Sequence, residues 1–153
     1  MFRNLLSRLF NEEAQSTSLT SQDSEVAIAA LLVRLARADD HYGEAEKIRI
    51  DQVLARRRGL DMDEAAARRL AAEMIEAEAP DTVRFTRSIK ERILLEDRLG
   101  VLEALWEVAY ADGRRSPAEE ALVRLVTGLL GIADVDSGLI RQKVMVNLGL
   151  SEV

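Results

Sequence analysis

From residue 24 onward, apolar side chains recur at intervals of three and four residues. That is the period of a helix laying one face on a core. Combined with end signals, it predicts helices over residues 24–38, 44–58, 62–79, 82–94, 96–111, 117–130 and 137–147. Asp61 with Glu64 and Ser116 with Glu119 have the spacing of a capping box, and Pro117 stands where a first-turn proline is tolerated. Gly59 and Gly131 suit the residue that follows a helix, Pro80 stops the third helix, and Asn147 with Gly149 closes the last. Nothing alternates with period two for long enough to propose a strand. The expected fold is all-α, a bundle of about seven helices.

Ahead of the bundle, Phe2, Leu5, Leu6, Leu9 and Phe10 fall on one helical face, with Arg3, Asn4, Ser7 and Arg8 opposite. Residues 11–24 then read as a polar linker rich in Ser, Thr, Gln and acids. The chain therefore divides into an amphipathic N-terminal segment with its linker, residues 1–23, and a helical domain, residues 24–153. The short helix could dock on its own core, on a partner, or weakly on a membrane surface through residues 2–10.

Composition narrows the chemistry. The 153 residues contain no cysteine and one histidine, His41, which excludes thiol catalysis, disulfides and multi-histidine zinc sites. The formal charge of −6 argues against a nucleic-acid partner, which needs a concentrated basic face. The arginine clusters at 56–58, 68–69 and 114–115 read as solvated faces and helix-end charges. The longest apolar run, residues 26–33, is far short of the roughly 18–20 residues of a membrane span, and no signal peptide is evident. The expected location is cytoplasmic, with membrane association through the N-terminal helix left open.

The most informative feature is an internal repeat. Shifted by 73 positions, two segments overlay without a gap: Leu32 meets Leu105, Ala36 meets Ala109, Ala38 meets Ala111, Asp39 meets Asp112, Ala45 meets Ala118, Glu46 meets Glu119 and Val53 meets Val126. Each copy is an apolar helix ending in Ala-Asp, a short loop, and a helix with Glu in its first turn. Neither hairpin can bury its apolar face alone, so the two are expected to pack together as pseudo-symmetric helical repeats.

Ala111-Asp112-Gly113 followed by Glu119, with a degenerate copy at Ala38-Asp39-Asp40 followed by Glu46, resembles the TerB-like family. That family is named for a tellurite-resistance protein and includes a domain of the membrane-anchored co-chaperone DjlA. The resemblance covers residues 24–147. It implies an all-helical bundle with clustered acids that bind metal, and a role in tellurite resistance, stress response or an envelope-associated assembly. Asp40 departs from the motif, which prefers glycine. The Gly113 position calls for a left-handed backbone, which Asp tolerates better than most residues, so the turn is expected to survive.

Asp39 and Asp112 end helices, where the macrodipole disfavours negative charge. If the loops meet, Asp39, Glu46, Asp112 and Glu119 would form an all-oxygen metal site suited to Ca²⁺ or Mg²⁺. A purely architectural role competes with it: Glu119 returning a bond to Ser116, Glu46 favourably placed at a helix start, and each Asp accepting N–H groups from the next helix. His41 reads as a surface loop residue without a catalytic partner, and Trp106 as core. On helix 117–130, Ala118, Ala121, Leu122, Leu125 and Leu129 make one stripe, widened by Val123, Val126 and Leu130. Burial in the bundle is favoured for it over contact with a second subunit. No nucleotide, nucleophile-elbow or metalloprotease motif occurs. The expected function is therefore a non-catalytic interaction or sensor module with no catalytic residues and an unidentified protein partner, a homo-oligomer being open. The competing readings are a Mg²⁺-dependent hydrolase using the same acids and a peripheral membrane adaptor.

Overall fold

The computed structural model describes residues 21–79, 81–91, 93–113 and 116–150. Among them are seven helices and no strand: α1 (Ser21–Ala36), α2 (Glu44–Arg58), α3 (Met62–Glu78), α4 (Thr82–Lys90), α5 (Leu95–Ala109), α6 (Pro117–Leu129) and α7 (Asp134–Asn147). The amphipathic segment 2–10 and most of the linker lie outside the described residues, as do Arg114 and Arg115.

Helix α1 is the centre of the bundle. From Val26 to Ala36 every residue except Arg34 is buried, and the helix touches α2, α3, α4, α5 and α6. A helix that is apolar all round must be enclosed, and here Ala27, Ala29, Ala30 and Ala36 let the neighbours approach closely. The run at 26–33 is thus a core element, and no helix among the described residues is long and apolar enough to cross a membrane. Helix α5 is its counterpart, burying Val101, Leu102, Leu105, Trp106 and Val108, and packs on α1, α2, α6 and α7.

Cap chemistry sets most boundaries as expected. Asp61 accepts the Glu64 N–H at 2.8 Å while Glu64 accepts that of Asp61 at 3.2 Å, a complete capping box at the start of α3. Three boundaries differ. Helix α1 begins at Ser21, inside the stretch read as linker. Helix α4 ends at Lys90, four residues early. Helix α7 begins at Asp134 rather than near Ser137. The last has a physical reason: its N-cap, Ala133, carries no capping side chain, while the acids Asp134 and Asp136 in the first turn complement the helix dipole. Ser137 looks like a cap in the sequence but is a buried residue inside the helix.

Two further expectations are corrected. The arginines at 56–58 are not merely solvated. Arg57 and Arg58 both pair with Glu25 of α1, whose side chain is 3% exposed, and Arg56 pairs with Glu107 of α5. Arg69 bridges Asp51 of α2 and Glu73 of α3 at 2.7 and 3.0 Å. These arginines hold the carboxylates that helix packing buries, so they tie helices together. On α6, Val123, Val126 and Leu130 face the core, while Ala118, Ala121 and Leu125 remain exposed along a shallow groove with Arg34 and Arg37. The stripe expected to be buried is that groove's floor, because the buried face of α6 is also occupied by Glu119, Glu120 and Thr127.

Candidate functional site

The acidic loops are built by two tight turns with matching hydrogen bonds. After α1, Ala38 donates to the Leu35 carbonyl and Asp40 to that of Arg37; after α5, Ala111 donates to Val108 and Gly113 to Tyr110. Asp40 has φ 63° and Gly113 φ 77°, and Asp40 is the one non-glycine residue with positive φ among the described residues. The turn therefore survives the departure from glycine, because the short polar Asp side chain tolerates the left-handed region.

The first turn presents its acid differently from the helix-to-helix bond expected. Asp39 accepts the N–H of His41, two residues on, at 3.0 Å, a local turn rather than a bond to the first turn of α2. Asp112 and His41 are both exposed, and both line one cavity. Helix α2 starts behind Gly43, whose N–H donates to Glu46 Oε2 at 2.6 Å. A Cβ at Gly43 would lie 3.3 Å from that oxygen, so glycine lets the carboxylate fold back over the helix end.

At Glu119 the arrangement diverges. Ser116 Oγ accepts the Glu119 N–H at 3.3 Å, half of a capping box, but the return bond from the Glu119 carboxylate is not made. Glu119 is 3% exposed, and its Oε1 is buried without a hydrogen-bond partner. Burial pushes this carboxyl up to about 8, and the charges of Asp39, Glu46 and Asp112 push it the same way. The structure thus brings all four sequence-selected acids into one electrostatic group, where α1–α2 and α5–α6 present their loops. The group borders a cavity of about 590 Å³ whose lining includes Asp39, His41, Glu46, Asp112 and Ser116.

The donors are all oxygens, from Asp39 and Asp112 on the two loops and Glu46 and Glu119 in the first turns of the helices that follow. This is a hard-cation set, and the unpartnered Glu119 oxygen is what such an ion would satisfy. As the side chains stand, no three His, Asp or Glu residues among those described are gathered closely enough to hold a metal ion. Coordination would need Asp39 and Asp112, the more exposed pair, to turn toward Glu119.

Sequence reasoning missed a second polar group beside the first. Tyr110 donates to Glu120 at 2.8 Å and accepts from Arg141 Nε at 2.7 Å, and Arg141 lies 3.5 Å from Glu120. Burial raises the Tyr110 phenol's pKa; Arg141 opposes that and Glu120 adds to it. No spacing announces this trio, since the C-cap of α5, the first turn of α6 and the middle of α7 contribute one residue each.

A search of curated proteins and one of solved structures each find no match. The family model described as Tellurite resistance protein TerB matches residues 25–142, which takes in both acidic loops and five of the seven helices whole. By that match over most of its length, the chain belongs to the TerB tellurite-resistance family.

Proposed function

We propose that this chain is a non-catalytic module associated with tellurite resistance, in which a divalent cation held by Asp39, Glu46, Asp112 and Glu119 adjusts how two helical hairpins pack. Family membership supplies the association with tellurite resistance. The observation that carries the cation reading is the Glu119 carboxyl: buried, unpartnered at Oε1, and surrounded by three further acids. A buried polar atom without a partner costs about 1–3 kcal/mol, and the charges of Asp39, Glu46 and Asp112 oppose ionisation of Glu119. Ca²⁺ or Mg²⁺ would relieve both.

Proton linkage follows. With a pKa of about 8, the Glu119 carboxyl is largely protonated at neutral pH, so cation binding releases a proton. Affinity then rises with pH, by up to tenfold per unit below about 8.

Calorimetric titration of metal-stripped protein with Ca²⁺ and Mg²⁺ tests the reading, run in two buffers of different ionisation enthalpy. Saturable binding with buffer-dependent heat, lost in Asp39→Ala/Asp112→Ala protein that still folds, is the expected result. Absence of saturable heat, together with a melting temperature indifferent to either ion, would reject it. In that case these acids serve hairpin architecture alone.

A further inference from the structure

A cavity of about 460 Å³ lies between α5, α6 and α7, apart from the acidic loops. It is lined by Trp106, Arg124, Thr127, Asp134, Ser137 and Arg141, with Gly138. That volume falls in the range of small-molecule sites.

Two of its side chains, Trp106 and Arg124, carry donors that meet no acceptor among the described residues. Trp106 is 2% exposed, and its Nε1 is buried without a hydrogen-bond partner. An indole N–H can only donate, so it calls for an acceptor. Arg124 is exposed and makes no hydrogen bond or ion pair among the described residues. Arg141 lies 5.7 Å over the Trp106 ring and 5.8 Å over that of Tyr110; its Nε bonds to the Tyr110 hydroxyl and its Nη2 pairs with Glu120 at 3.5 Å, which leaves Nη1 without an acceptor among the described residues. Thr127 Oγ1 donates to the Val123 carbonyl at 2.6 Å, so in its 3.5 Å contact with Ser137 it accepts and the Ser137 hydroxyl donates; neither hydroxyl keeps a proton for a ligand. Helix α7 starts at the cavity wall, and its N-cap Ala133 supplies no side-chain cap to the first-turn N–H groups.

The unpaired Arg124, the orphaned indole N–H of Trp106 and Nη1 of Arg141 share one chemistry: each favours an acceptor, and the guanidiniums favour one that carries negative charge. Asp134 is the one acid in the lining and opposes it. We infer that this cavity binds a small organic anion, with the phosphate or carboxylate group held chiefly by Arg124 and assisted by Nη1 of Arg141. The inference does not depend on cation binding at the loops, because none of the four loop acids lines this cavity.

Trp106 is the only tryptophan in the chain, so intrinsic fluorescence reports from the cavity wall. The test titrates the full chain, in chelator and at constant ionic strength, with phenyl phosphate, benzoate and neutral phenol at up to millimolar concentration. A saturable change with at least one of the two anions, and none with phenol, is expected; which anion saturates tells phosphate from carboxylate. Arg124→Ala should weaken binding about tenfold, the worth of one charge-assisted contact, with Arg124→Lys intermediate. Asp134→Asn should tighten it a fewfold by removing the opposing charge. Arg124 is exposed, so its replacement leaves the core intact. No saturable change, an equal response to phenol, or indifference to Arg124→Ala would each overturn the inference.

Discussion

Asp40 and Gly113 hold the same left-handed turn position 73 residues apart, at φ 63° and 77°. A Cβ at Gly113 would meet nothing within 4 Å, so backbone conformation and not space demands glycine there. Gly113→Ala should lower stability by about 1–2 kcal/mol, and Asp40→Gly should be neutral to stabilising by up to about 1 kcal/mol. Denaturant midpoints at constant m-value measure both. Loss of stability in Asp40→Gly would mean that the Asp40 side chain contributes something beyond the turn.

Glu119 gives stability an unusual pH dependence. Its folded pKa of about 8 exceeds the ordinary value of 4.5, so the folded state holds the proton more firmly than the unfolded chain. The favourable contribution is complete below about 4.5 and is lost as pH rises through about 8. Glu119→Gln should remove this slope and stabilise the protein at pH 9 by about 1–3 kcal/mol. Thermal melts of both proteins from pH 5 to about 9 check it. A wild type whose stability is flat over that range would contradict the assignment.

Glu25 is the buried end of a two-arginine clamp. Its side chain is 3% exposed and meets Arg58 at 2.6 Å and Arg57 at 3.3 Å. Glu25→Ala removes the buried charge itself and leaves Arg57, 17% exposed, and Arg58, 46% exposed, without their acceptor. The loss of these charge-assisted bonds should destabilise the fold by about 1–3 kcal/mol, since only Arg57 stays largely desolvated. Chemical denaturation measures it; an effect within a few tenths would make the clamp a surface pairing in energetic terms.

Tyr110→Phe keeps the ring that stacks on Trp106 at 5.6 Å and removes only the hydroxyl. Glu120 loses a donor and Arg141 an acceptor, so a loss of about 1–3 kcal/mol is expected. The Trp106 emission maximum should shift as Arg141 moves, which distinguishes loss of the relay from a general loosening of the core. An unchanged emission spectrum would place the effect elsewhere.

The sequence by itself determined the all-α class, the approximate position of each helix and the two acidic loops, because these follow from local rules. Helical period, Asp61 with Glu64, and the glycines after α2 and α6 act within a few residues of where they are read. It also marked Asp39, Glu46, Asp112 and Glu119, since a repeated spacing needs no knowledge of packing. The family to which the chain belongs was legible on the same residues. Tertiary structure decided the rest. Glu46 folds onto its own helix start while Glu119, at the matching position, keeps a buried oxygen without a partner. That difference depends on what surrounds each helix end. Likewise Leu125 is exposed and Glu119 buried on one helix, against their hydrophobicity, and Arg57 reaches a carboxylate 32 residues away. Burial and electrostatic partnership are properties of the assembled bundle: they arise from side chains brought together by the chain's path, and no local pattern encodes which ones meet.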